Sequence, residues 1–249
     1  MKMIVLNAWG GRLTNPLFDF FRRQAESDIF LLQEVMHQAT EKTILDRGEI
    51  SNLFTEVADL LPGHQAYFAP VEAGEWGLAG FVKKDIKTLE DGEVFVYRHR
   101  DAMIGQDAST LGRSLQYFKI EQSGRPLTVL NFHGIWTGQG KGDTEGRLLQ
   151  SRNIIEFVKT LSGDIILAGD FNLRPETQSL KMLEQELGLK NLITAHQIIS
   201  TRTALYTKPE KFCDYVLVSP GIHVKDFRVL PDEVSDHAPL FLEFSLGDN

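Results

Sequence analysis

The chain has 249 residues, with 34 acidic against 26 basic side chains, a formal charge of −8 and one cysteine, Cys213. A body of this size buries roughly 70–75% of its unfolded surface, so it needs no disulfide, and a lone cysteine in an apolar stretch fits a reducing compartment. The acidic balance excludes a generic nucleic-acid coat protein, whose binding is driven by counterion release from a basic surface; it leaves room for phosphate held locally at an embedded metal.

In chain order, Met3–Leu6 reads as a short strand. Asn7 and Gly10-Gly11 follow at once, so this apolar run is too short for a secretory signal or a membrane span. The expectation is a soluble, cytoplasmic monomer with no transmembrane segment. Pro16–Gln24 reads as a helix with Leu17, Phe18, Phe20 and Phe21 on a wide face, and Ile29–Gln33 as a strand. Asp46–Leu61 places Ile50, Leu53, Phe54, Val57, Leu60 and Leu61 at helical spacing. Strands follow at Leu78–Val82, Val94–Tyr97, Leu115–Ile120 and Leu127–Phe132. Helices are predicted over Asp143–Leu161 and Glu176–Leu187, with Asp143-Thr144 and Thr177 as cap-type residues, and a strand at Ile165–Ala168 between them. Tyr215–Val218, Val224–Leu230 and Pro239–Phe244 complete the strands, and Cys213 reads as a small buried residue beside the first of these.

No repeat or linker-like shift divides the chain, so residues 1–249 are expected to form a single domain. Short turns at Gln122-Ser123-Gly124 and Pro220-Gly221 predict antiparallel hairpins. Strands outnumber helices in a mixed order, which points to two sheets packed face to face with helices on the outer faces. Two long loops stand out. Arg98–Gly112 is polar and irregular, and Gly134–Gly146 carries five glycines with Trp136, Lys141 and Asp143. The second directly follows His133 and is expected to face substrate.

The chemistry-bearing residues fall at strand ends. Glu34 closes its strand and suits a hard cation such as Mg²⁺, which takes one or two carboxylates plus water and phosphate. Asn7 shares that rim or serves as a turn residue before the glycines. Asp170 and Asn172 stand two apart behind a strand, so a carboxylate able to orient or deprotonate water and an amide able to hold a phosphate oxygen point the same way. Asp214 and His237 form a candidate acid–base pair, the carboxylate fixing the imidazole tautomer. Asp236 is expected to reach the metal or its water. His133 would protonate a leaving oxygen or stabilise the phosphorus centre, with Glu75 as its partner.

Taken in order, Leu6-Asn7, Leu32-Gln33-Glu34, Asn131-Phe132-His133, Gly169-Asp170-Phe171-Asn172, Asp214-Tyr215-Val216 and Ser235-Asp236-His237 span nearly the whole chain. This set resembles the endonuclease/exonuclease/phosphatase family, the fold of pancreatic deoxyribonuclease. The resemblance implies an α/β (α+β) four-layer α/β/β/α sandwich and Mg²⁺-dependent phosphoester hydrolysis, with Mn²⁺ as a substitute. It assigns Glu34 to the metal and Asn7 to its neighbourhood, Asp170 and Asn172 to water and phosphate, and Asp214–His237 to a second acid–base pair. Many members carry an aspartate where Trp9 stands here, which argues against a second carboxylate-rich metal site at that end.

For substrate, the expectation is a phosphoester, with nucleic acid or nucleotide ahead of lipid or inositol phosphate. Arg202 would face the phosphate, as would Arg174, which with Leu173 resembles a stretch in tyrosyl-DNA phosphodiesterases; either arginine would otherwise pair with a carboxylate. Trp136 would stack on a base or sugar or plug its loop.

Overall fold

In the computed structural model, which describes residues 1–40, 48–122 and 124–247, two six-stranded mixed sheets pack face to face between helices. The first half of the chain holds β1 (Lys2–Asn7), α1 (Thr14–Gln24), β2 (Ile29–Met36), α2 (Leu53–Leu60), β3 (His64–Glu72), β4 (Trp76–Lys83), β5 (Thr88–Tyr97) and β6 (Arg113–Gln122). The second holds β7 (Arg125–His133), α3 (Glu145–Val158), β8 (Asp164–Asp170), α4 (Gln178–Leu187), β9 (Lys190–Asn191), α5 (Leu192–Ala195), β10 (Asp214–Val218), β11 (Ile222–Val229) and β12 (Leu240–Leu246). The sheets run β11-β12-β1-β2-β4-β3 and β5-β6-β7-β8-β10-β9. Each has one parallel pair near its centre, β1–β2 and β7–β8.

Period-two alternation decides which side chains meet which layer. Ile4, Leu6, Phe30 and Leu32 join Leu17, Phe20 and Phe21 of α1 and Leu53 and Val57 of α2 in an outer core. Met3, Val5, Ile29 and Leu31 belong to the core shared with the second sheet, which also takes Ile154, Ile155 and Val158 of α3 and Leu180 and Leu183 of α4. The sheets approach closely where Gly80 faces Phe118: a Cβ there would lie 2.2 Å from the ring. A buried amide chain also ties them together. Gln33 donates to Asn131 (2.7 Å), and Asn131 donates to Gln116 (3.1 Å) and to the Leu32 and Ala79 carbonyls.

Several elements differ from the sequence expectation. β3 and β9 both lie at sheet edges and carry weak signals: Pro70 interrupts the first, and the second has two residues. The Pro220-Gly221 turn does not make a hairpin, because β10 and β11 lie in different sheets and the chain crosses between them there. α2 begins only at Leu53, and Asp46 and Arg47 of the expected helix lie outside the described residues, as does Ser123 of the β6–β7 turn. Thr144 caps α3, accepting from the Arg147 amide (3.2 Å), whereas Asp143 caps α4 from a distance through the amides of Gln178 and Ser179. Among the described residues no helix is long and apolar enough to cross a membrane.

Candidate active site

The parallel pairs bring four motif-bearing ends to one edge of the sandwich. Asn7 lies level with Gln33, and His133 with Asp170, while antiparallel β10 starts at Asp214 directly opposite Asp170. His237 reaches the same edge from the segment before β12, bridging to Arg202.

Glu34 arrives through a backbone irregularity. The β2–β4 register shifts between Leu32 and Val35, and Glu34 itself sits at φ +55°. A bulge of this kind re-aims one side chain out of the strand alternation, and a non-glycine residue held at positive φ commonly marks a functional site. Asn7 is fixed at both ends of its amide. Its oxygen accepts from the Trp9 N–H (3.0 Å), and its nitrogen donates to Glu34 (2.9 Å) and Asp170 (3.1 Å). The face it turns to the two carboxylates is therefore a donor, which orients them.

Asp170 follows Gly169, whose φ of +142° and a virtual Cβ 1.9 Å from the Phe132 carbonyl leave room for no side chain. One Asp170 oxygen accepts from the Asn172 backbone amide (2.9 Å), and the other from the Asn172 side chain (3.3 Å). That turn holds Asn172 at φ +54°, a conformation Asn tolerates. The Lys141 ammonium, buried beneath the glycine-rich loop, donates to the Asn172 side-chain oxygen. Burial pushes the Asp170 carboxyl up, but His237, Lys141, His133 and Arg202 together outweigh it and hold the group well below the usual carboxylate range.

His237 Nδ1 contacts Asp214 at 2.8 Å, which leaves Nε2 facing Asp170 (3.7 Å) and Asp236 (3.7 Å). Burial lowers the imidazole's proton affinity; the charges of Asp214 and Asp170 more than restore it, and the net shift is upward. Thr201 Oγ1 (2.9 Å) and Cys213 Sγ (2.9 Å) both donate to the second Asp214 oxygen. Burial beside Asp214 and Asp170 pushes the Cys213 thiol well up, so it stays a protonated donor. Asp236 pairs with Arg202 (3.2 Å), whose guanidinium is stacked 3.9 Å from the Tyr206 ring centroid. Asp236 thus contacts both Arg202 and His237.

His133 Nε2 lies 3.8 Å from Glu34 and 3.6 Å from Asp170, and its Nδ1 lies 3.5 Å from Arg113. Burial, then the Arg113 charge, hold its affinity for a proton well below the ordinary histidine range. The expected Glu75 partner is elsewhere: Glu75 accepts from the amide and hydroxyl of Thr40, and Trp76 packs on the imidazole instead (5.5 Å). Arg113 is buried without a carboxylate in salt-bridge range among the described residues, and burial lowers it to about 10.

The ligand atoms of Glu34, His133 and Asp170 all lie within 4.8 Å of one another. Burial, with Asp170 and Asp236 nearby, raises the Glu34 carboxyl. Carboxylates crowded in this way fit a divalent cation, whose charge would relieve their repulsion. A second cluster, Asp170, Cys213, Asp214 and His237, is equally compact; its members are already engaged in the hydrogen bonds above.

Of the outer candidates, Arg174 is half-exposed and pairs with Glu176 (2.7 Å), and Trp136 stands exposed with Lys208 Nζ 5.6 Å from its ring centroid. A groove of about 370 Å³ runs between residues 174–176 and 209–212. Sequence reasoning missed Arg113, Thr201 and the role of Lys141. Arg113 opens a strand after a polar loop, and lysine in a glycine-rich loop resembles ordinary surface material, so neither carried a signal.

The model of the endonuclease/exonuclease/phosphatase family matches residues 4–237. A UPF0294 protein of Klebsiella pneumoniae is 32% identical over 125 residues, 49% of this chain and 43% of its own length. The match therefore spans less than half of that curated relative. Among solved structures, a mannosyl-6-phosphatase of Bacteroides thetaiotaomicron has a TM-score of 0.76 at 20% identity, covering 99% of this chain and all 100% of its own. A humanized TDP2 of D. rerio scores 0.75 at 15% identity, covering 98% of each chain. The similarity to the two solved structures is one of fold; the family model spans nearly the whole chain, and the chain belongs to the endonuclease/exonuclease/phosphatase family, whose members are phosphoester hydrolases.

Proposed function

We propose that this protein hydrolyses phosphoesters with Mg²⁺, or Mn²⁺ in its place, and that its substrate is a nucleic acid or nucleotide. The observation that carries the reading is the convergence of Glu34, His133, Asp170, Asn172 and His237 on one edge, with every side chain held by a named partner. A cation held by Glu34 and Asp170, with His133 beside them, would polarise a phosphoryl oxygen.

The chain's own groups supply the rest. Asp170 is too acidic to keep a proton at neutral pH, so it orients the attacking water. His237, raised and fixed through Nδ1 by Asp214, is the better proton acceptor, and its charged form then faces the phosphorus centre. His133 is a neutral donor: Arg113 occupies its Nδ1 side, leaving Nε2 as the nitrogen that donates to a phosphate or leaving oxygen. Asn172, Arg113 and Arg202 add donors and positive charge where negative charge develops. Trp136, exposed with Lys208 near its ring, supports a base or sugar as the attached group. Lipid and inositol phosphates are the alternative substrates. A catalytically inactive binding relative is disfavoured because the full set of acid, amide and imidazole groups is present.

The test is a Mg²⁺-dependent screen over bis-p-nitrophenyl phosphate, single- and double-stranded DNA, RNA, nucleotides, sphingomyelin and inositol phosphates. Turnover should disappear in excess chelator while the melting temperature changes little, because few protein ligands depend on the ion. Undiminished turnover in chelator would overturn the metal role, and turnover of no phosphoester would overturn the reading itself.

A further inference from the structure

Lys141 is 5% exposed, and among the described residues its ammonium makes no ion pair with a carboxylate. A buried ammonium costs stability unless opposite charge and a hydrogen bond meet it; here the charge comes from the nearby Asp170 carboxylate and the hydrogen bond from Asn172. The segment around it is braced by a second buried cation. Arg147 donates to the carbonyls of Ile135 (3.1 Å), Gly140 (3.0 Å) and Gly142, the last two flanking Lys141 directly. The Lys141 carbonyl in turn accepts from the Arg174 amide (3.0 Å). The loop is thus held on both sides of one lysine, and that lysine points at Asn172.

We propose that Lys141 is a positioning residue: braced by Arg147 through the glycine-rich loop, it fixes the orientation of the Asn172 amide beside Asp170. An ammonium only donates, so the Asn172 atom it meets must be the oxygen. The amide nitrogen is then directed to Asp170 (3.3 Å) and the Gly134 carbonyl (3.3 Å). Without Lys141 the amide loses the contact that tells its two ends apart, and the donor that holds the Asp170 carboxylate is present only part of the time. The kinetic consequence rests on the phosphoester-hydrolase reading above; the geometric one does not.

Two measurements separate them. In Lys141→Met, kcat on bis-p-nitrophenyl phosphate should fall about 10- to 100-fold with KM changing less than about 3-fold, the pattern of a donor felt in the transition state. In an Asn172→Ala background the same substitution should cost less than about 3-fold, because the two residues act as one unit. Equal losses in both backgrounds would overturn the proposal, since Lys141 would then act on substrate directly. Independently of turnover, the Asn172 side-chain NH₂ resonance, assigned by its disappearance in Asn172→Ala, should shift and exchange faster with solvent in Lys141→Met. Lys141→Gln, which keeps an N–H donor without the charge, should hold that resonance nearer the wild-type position. A resonance unmoved in both variants overturns the brace. If the wild type turns over no phosphoester, the functional reading fails while the resonance still decides the positioning role.

Discussion

At Asp170 the neighbouring cations win over burial, and at His237 the neighbouring carboxylates do, so the two groups are driven apart in proton affinity although they lie 3.7 Å apart. Asp170→Asn keeps the shape and removes the charge; His237→Ala removes the imidazole that charge faces. Each should lower kcat by about two to four orders of magnitude while leaving the unfolding midpoint close to wild type. Folded variants with near wild-type rates would exclude the assignment. His64, distant in sequence from this chemistry, illustrates the stability side. Burial lowers it below 6.5, Nε2 contacts the Ser27 carbonyl at 2.8 Å, and among the described residues buried Nδ1 has no hydrogen-bond partner. Between its folded value and 6.5 the unfolded chain binds a proton that the native one does not, so stability falls as pH drops through that window. His64→Phe should therefore flatten the loss of urea stability between about pH 7 and pH 5. His133 contributes with the same sign and His237 with the opposite one, so the quantity to compare is the difference in slope between variant and wild type. An unchanged slope would sink the His64 assignment.

At the scale of elements, the central strands were legible because their apolar runs are unbroken: the expected strands at 29–33, 127–132 and 165–168 are the cores of β2, β7 and β8. Edges were not, since β3 carries Pro70 and β9 is only Lys190–Asn191. The strand-end motifs do meet at one edge of the sandwich, yet the partner of each was decided by non-local packing. No local spacing signals that Asp236 pairs with Arg202, that Trp76 packs on His133, or that Asp143 caps α4. The same holds inside the sandwich, where Asn131 closes a polar chain between sheets that meet only in three dimensions. Asn131→Leu would leave the Gln33 and Gln116 amides and two carbonyls short of partners. Unsatisfied buried groups cost about 1–3 kcal/mol each, and relaxation recovers part, so about 3 kcal/mol of unfolding free energy should be lost. A loss below about 1 kcal/mol in urea titration would show that the chain of amides does not hold the sheets.

Over the whole molecule, the charge of −8 and the placement of the cations together limit how the protein can meet a polyanion. Arg202 is committed to Asp236 and Tyr206, Lys141 to Asn172, and Arg174 to Glu176; Arg113 lies buried behind His133. Few basic groups at the site are therefore free to displace counterions along a strand. Each neutralised phosphate contributes about −0.9 to the slope of log K against log salt, so a footprint of two phosphates gives a slope of about −2 on B-DNA. A slope several times steeper, or tight binding that survives chelation, would require a basic surface beyond these four groups. Affinity for the attached group should then come from Trp136 and the groove between residues 174–176 and 209–212 rather than from the backbone. Stacking of one base contributes about 1–3 kcal/mol, so Trp136→Ala should reduce kcat/KM on nucleotide substrates by roughly 5- to 150-fold. On bis-p-nitrophenyl phosphate, with no base or sugar to seat, the reduction should be smaller. Equal reductions on both substrates would remove the stacking role and favour a phosphorylated lipid or inositol as the molecule this site was built to cleave.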